Sequence, residues 1–89
     1  MALWSEQIVL PEKKTVSTKQ NELLLSNRGE WLGVATIGIS RVGSHTQEEE
    51  VRLGGEFRYG PYTFGLFEVR LMEIGEDDDT VTVLVTRLS

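Results

Sequence analysis

The side chains best suited to chemistry in this sequence are a single imidazole, His45, and two carboxylate runs, Glu48-Glu49-Glu50 and Glu76-Asp77-Asp78-Asp79. An imidazole acts as a general base when a nucleophile and an orienting carboxylate are held beside it. His45 lies in the turn-like stretch Gly43-Ser44-His45-Thr46-Gln47, where Ser44 and the glutamates at 48–50 are neighbours in sequence but form no recognised catalytic arrangement. A metal centre would want a second imidazole or thiolates, and the chain has no cysteine. That absence also excludes disulfides, thiol redox chemistry and a cysteine nucleophile, and it fits a reducing compartment. The run 76–79 carries the charge for a hard cation but lacks the alternating ligand spacing and the glycine of a calcium loop, so it reads as a solvated turn. Gly54-Gly55 lacks the Gly-Lys-Ser/Thr ending of a phosphate loop and precedes a strand rather than a helix. The expectation is a chain without catalytic residues, metal or cofactor, and not an enzyme.

The richest segment is Glu56-Phe57-Arg58-Tyr59-Gly60-Pro61-Tyr62-Thr63-Phe64. Gly60 supplies the positive φ and Pro61 the fixed φ of a two-residue type II′ turn, which would place Tyr59 opposite Tyr62 and Phe57 opposite Phe64. All four rings would then share one face. Such a face, flanked by Arg52, Arg58 and Arg70, suits stacking of single-stranded nucleic acid or sugar rings. The competing reading makes the rings part of the core, with Arg58 and Thr63 on the solvent side, and it is favoured because aromatic burial dominates small cores. Phe57, Arg58, Tyr59, Tyr62 and Phe64 are the candidate binding residues of this segment.

The elements that must position these residues read as strands. Residues 80–88 alternate Val81, Val83 and Val85 with threonines, giving one apolar face. Residues 62–74 form a second long strand whose apolar positions change parity near Gly65, which predicts a bulge or bend there. The polar connection 75–79 makes these two an antiparallel hairpin at the centre of a sheet. Residues 30–40, from Glu30 and Trp31 to Ile39 and Ser40, are apolar on both faces, as a clasped central strand would be. Residues 21–26 form another strand, with Asn27-Arg28-Gly29 as the turn into Trp31. Residues 5–10 and 14–18 read as edge strands, and 48–53 as a further candidate. With turn signals about every ten residues and no capped helical period, the pattern predicts an all-β domain: a small antiparallel sandwich or partly open barrel of about seven short strands.

At 89 residues the chain has room for one domain. Its net charge of −5 repels phosphate backbones and anionic membranes, so nucleic acid is not the expected partner. No segment has the apolar length of a membrane span or the pattern of a secretory signal, which points to the cytoplasm. The leading expectation is a non-enzymatic protein-interaction module, an assembly subunit or small acidic inhibitor. The outward candidates Leu84 and Leu88, together with the double-faced strand from Trp31, imply a second face covered by a homodimer or a protein partner. The alternative is a ligand-binding domain using the aromatic hairpin face.

Overall fold

The computed structural model describes residues 2–19, 22–76 and 78–89. Asn21, at the start of one expected strand, and Asp77, in the hairpin connection, lie outside the described residues. The chain folds as β1 (Trp4–Pro11), β2 (Thr15–Ser17), β3 (Leu24–Trp31), β4 (Val34–Ser40), β5 (Gln47–Arg52), β6 (Glu56–Tyr62), β7 (Gly65–Ile74) and β8 (Thr80–Arg87). Two four-stranded antiparallel sheets pack face to face, one ordered β1-β8-β7-β6 and the other β2-β3-β4-β5. The result is a small β-sandwich. The described residues contain no helix, and so none long and apolar enough to cross a membrane.

Strand alternation builds the core. Val81, Val83 and Val85 on β8 face inward beside Phe67, Val69 and Leu71 on β7 and Ile8 and Leu10 on β1. Leu23, Leu25, Ala35, Ile37 and Ile39 meet them from the other sheet. The β7–β8 hairpin is central in its sheet, with β1 and β6 at the edges.

Three local features differ from the pattern read in the sequence. The first is the reversal in the aromatic segment, which falls at Thr63-Phe64 and not at Gly60-Pro61. Tyr62 pairs with Gly65 and Tyr59 with Phe67, so Gly60 and Pro61, joined by a cis peptide, stand opposite the single residue Leu66 as a bulge. Glycine is needed there because a Cβ on Gly60, at φ 110°, would lie 2.7 Å from the Gly65 carbonyl. The parity change near Gly65 thus comes from the turn itself, while the bulge in β7 sits further on, at Met72.

The second concerns Asn27-Arg28-Gly29, which continues β3 as a bulge: Asn27 pairs with Ile37 and Glu30 with Ala35, leaving Arg28 and Gly29 opposite Thr36. Asn27 is 2% exposed. Its Oδ1 accepts the Gly29 N–H at 2.9 Å, which folds the bulge back on itself. The third follows: the turn lies at Leu32-Gly33, between the paired residues Trp31 and Val34. The double-faced reading of residues 30–40 therefore fails at its first half, since Trp31 and Leu32 form a hairpin tip. Beyond it, Ala35, Ile37 and Ile39 do point into the core, with Thr36, Gly38 and Ser40 on the other face.

Strand alternation places the β1–β2, β3–β4, β5–β6 and β7–β8 connections at one end of the sandwich and the other three at the opposite end. Among the described residues, the non-glycine residues with left-handed backbone, Lys13 (φ 64°), Leu32 (φ 53°) and Asp79 (φ 53°), all lie at the first end.

Candidate functional site: the β3–β4 tip and its cleft

At the β3–β4 turn both loop residues have positive φ, 53° at Leu32 and 81° at Gly33, as a type I′ turn requires. The carboxylate of Glu30 accepts the Gly33 N–H at 2.9 Å and braces the turn. Glycine suits its position. Leucine does not, because a side chain in the left-handed region costs about 1–2 kcal/mol where asparagine or glycine would cost less. Leu32 is nevertheless 84% exposed, and Trp31 beside it is 77% exposed. The tip thus combines backbone strain with two large apolar side chains in water, and Leu53, also exposed, lies at the same end of the sandwich.

Pairing carries this surface across the outer face of the second sheet. Trp31 pairs with Val34 and Val34 with Arg52; the next row runs from the Arg28–Gly29 bulge through Thr36 to Glu50. Between these rows lies an open cleft of about 500 Å³, lined by Trp31, Val34, Thr36, Arg28, Glu50 and Arg52. Gly38 keeps the next row low: a Cβ there would collide with Ser26 Oγ and lie 3.0 Å from Arg28 Nε. Arg28 Nε donates to Ser26 Oγ at 3.1 Å, and its guanidinium lies 3.9 Å from the Glu48 carboxylate.

The aromatic segment lies at the opposite end. Tyr59 is 5% exposed and packs against Phe67, with ring centroids 6.5 Å apart. Phe57 and Phe64 are half-buried against the core, and Tyr62, 46% exposed, stacks on Phe64 at 5.1 Å and 11°. Arg41 lies over the Phe64 ring at 4.6 Å. Tyr59, Tyr62 and Phe64 gather, whereas Phe57 packs on the core opposite Val69, so the expected face of four rings is not formed and Tyr62 alone among them is exposed. Arg87 secures this end, making bonds of 2.9 and 2.7 Å from Nη1 to the two Glu22 oxygens and of 3.0 Å from Nη2 to the Phe64 carbonyl.

The remaining sequence candidates separate. Arg58 points to the outer face of the first sheet, opposite Glu68 at 3.9 Å, beside the Arg70–Glu56 pair at 3.1 Å. Leu84 is half-buried on that face in a row with Gln7 and Arg70, and Leu88 donates its N–H to the Leu66 carbonyl at 2.7 Å. Leu84 is thus the apolar member of a polar row, with the exposed Val9 and Met72 elsewhere on the same sheet. His45 lies exposed in the β4–β5 connection, at the end opposite the acidic connection 75–79, and no group of three or more metal-ligating side chains is assembled among the described residues.

The tip was missed in the sequence because Trp31 and Leu32 continue an apolar run into Val34, and leucine is an uncharacteristic turn residue. The signal that could have found it is the spacing of Gly29 and Gly33, which offers two rival turns. Comparison with family models, with curated proteins and with solved structures finds no match for this chain.

Proposed function

We propose that this protein is a non-enzymatic interaction module that docks a partner on the β3–β4 tip and the adjoining outer face of β3, β4 and β5. One observation carries the reading: Leu32 is held in a left-handed conformation that costs stability, while its side chain and that of Trp31 stand in water. Neither the strain nor the exposure stabilises the isolated domain, and both are accounted for when the two side chains are buried by a partner. The non-catalytic half of the reading is supported by Ser44, whose Oγ donates to the Arg41 carbonyl at 2.9 Å and accepts the Arg41 N–H at 3.1 Å, bonds that close its own turn rather than engage His45.

The test is crosslinking and light scattering of the wild-type protein and of Trp31→Ala, pure and in extract of the native host. The wild-type protein is expected to form a complex that Trp31→Ala loses while keeping its fold. A wild-type protein that stays monomeric and unpartnered in both settings overturns the reading.

A further inference from the structure

The cleft beside Trp31 has a chemistry of its own. One wall is an exposed indole with Leu32 beside it, the floor is Val34 and Thr36, and the far side carries Glu50 and Arg52, with Arg28 and Glu30 completing the rim. Two guanidinium groups and two carboxylates make it locally neutral while furnishing donors and acceptors in several directions. An apolar protein knob seated here would strip water from Glu50 and Arg52 without replacing their hydrogen bonds, which is costly, while Glu30 and Arg28 keep their bonds to Gly33 and Ser26. A polyanion gains nothing from a locally neutral cleft on a molecule of net charge −5. A polyhydroxylated ring meets both demands, because its C–H face packs against an indole while its hydroxyls replace the water on arginine and glutamate. The volume, about 500 Å³, lies in the range of small-molecule sites, and the cleft is open on its solvent side, as a chain of sugar units requires.

We propose that this cleft binds a neutral hexose chain, with Trp31 as the stacking ring and Arg52, Glu50 and Thr36 as the hydroxyl-binding groups. The proposal rests on the reading of the Trp31 face as a docking surface and gives the partner its chemistry. A glycan attached to a protein and a free polysaccharide present the same groups.

The test is titration of the full ¹⁵N-labelled chain with cellohexaose, maltohexaose, mannohexaose and laminarihexaose, each to about 10 mM, a range chosen for millimolar affinity. The Trp31 indole N–H and the amides of Val34, Thr36 and Arg52 are expected to shift progressively with at least one of these sugars. Trp31→Ala, and Thr36→Lys, which puts a long charged side chain on the floor, are each expected to weaken that binding by about ten-fold or more. Tyr62→Ala is expected to leave it unchanged. A glycoprotein carrying the responding sugar and its deglycosylated form separate the two sources: attached glycan binds in the first and not in the second, whereas a free-polysaccharide site responds to the hexamer and to neither protein. Absence of shifts with all four sugars, or shifts confined to Tyr62 and Phe64, overturns the proposal. Equal binding to both protein forms through Trp31 also overturns it, yet leaves the docking reading standing.

Discussion

Asn27 Nδ2 donates to the carbonyl of Asp79 at 3.1 Å, joining β3 to the β7–β8 connection across the end of the sandwich. The same nitrogen donates to the Leu10 carbonyl at 3.1 Å. With the bond that Oδ1 accepts from Gly29, one buried side chain ties β1, the β3 bulge and the β7–β8 connection together. Replacing it with alanine leaves those backbone groups short of partners, the Leu10 carbonyl at a fully buried residue and the Asp79 carbonyl beside an open pocket that Asn27 itself lines. Asn27→Ala is expected to cost about 3 kcal/mol in urea unfolding, since each orphaned polar group costs about 1–3 kcal/mol. A loss under about 1 kcal/mol would show that the network is not what holds this end.

Leu32→Asn separates stability from docking. Asparagine tolerates the left-handed region at the first position of a type I′ turn, so the variant is expected to be about 1 kcal/mol more stable than the wild type. Partner binding is expected to fall, because the exposed apolar side chain is gone. A variant less stable than the wild type would contradict the strain assigned to Leu32.

Trp4 contributes a ring to the core beside Phe67, with centroids 6.1 Å apart, yet its indole nitrogen is buried without a hydrogen-bond partner. Phenylalanine gives up some apolar area and removes that unpaired donor, two effects of similar size and opposite sign. Trp4→Phe is therefore expected to change stability by less than about 1 kcal/mol. It also leaves Trp31 as the one tryptophan, whose emission should be that of a solvated indole. Blue-shifted emission in this variant would contradict the exposure of the tip.

The outer face of the first sheet carries a pair of opposed titrations. A protonated Glu68 carboxyl can donate to Glu56, and this interaction, followed by the Arg70 guanidinium, holds the Glu56 carboxyl below its ordinary value. The same interaction, followed by loss of hydration, pushes Glu68 up. Glu56 therefore contributes stability above its unfolded value that is lost as pH falls through its folded value. Glu68 contributes in the opposite sense: its share is complete below its unfolded value and is lost as pH rises through its raised one. Glu68→Gln removes the second contribution and keeps an amide donor for Glu56. Melting temperature followed from about pH 7 to pH 3 is expected to fall more steeply in the variant than in the wild type, with little change near neutrality. Parallel curves would show that the two carboxyls do not interact.

The core was legible because its residues obey one period throughout. Val81, Val83 and Val85 repeat every second residue with nothing to interrupt them, and Phe67, Val69 and Leu71 do the same on the strand beside them. The connection 75–79 was legible as a hairpin turn, but two other turns were not, for a physical reason. Gly29 and Gly33 both allow positive φ, and so do Gly60 and Gly65; in each pair one glycine serves a turn and the other a bulge. Sequence alone does not rank them, since the choice depends on which register buries the most apolar surface across both sheets. The docking tip went unseen on the same account. Reading Asn27-Arg28-Gly29 as the turn puts Trp31 inside a strand, whereas the bulge moves the reversal to Leu32-Gly33 and sets Trp31 and Leu32 in solvent. The aromatic segment was half legible: Tyr59, Tyr62 and Phe64 do gather and the rings largely join the core, but around a reversal three residues later than the dipeptide that looked most like a turn.

The most direct measurement of the docking surface is site-specific photocrosslinking, with a photoreactive phenylalanine analogue at position 31 in one sample and at position 62 in another, in extract of the native host. These positions are exposed at opposite ends of the sandwich. A partner captured from position 31, competed away by unlabelled wild-type protein and absent from position 62, is the expected result. Capture from position 62 alone, or from neither, contradicts the assignment of the β3–β4 tip as the surface on which this protein works.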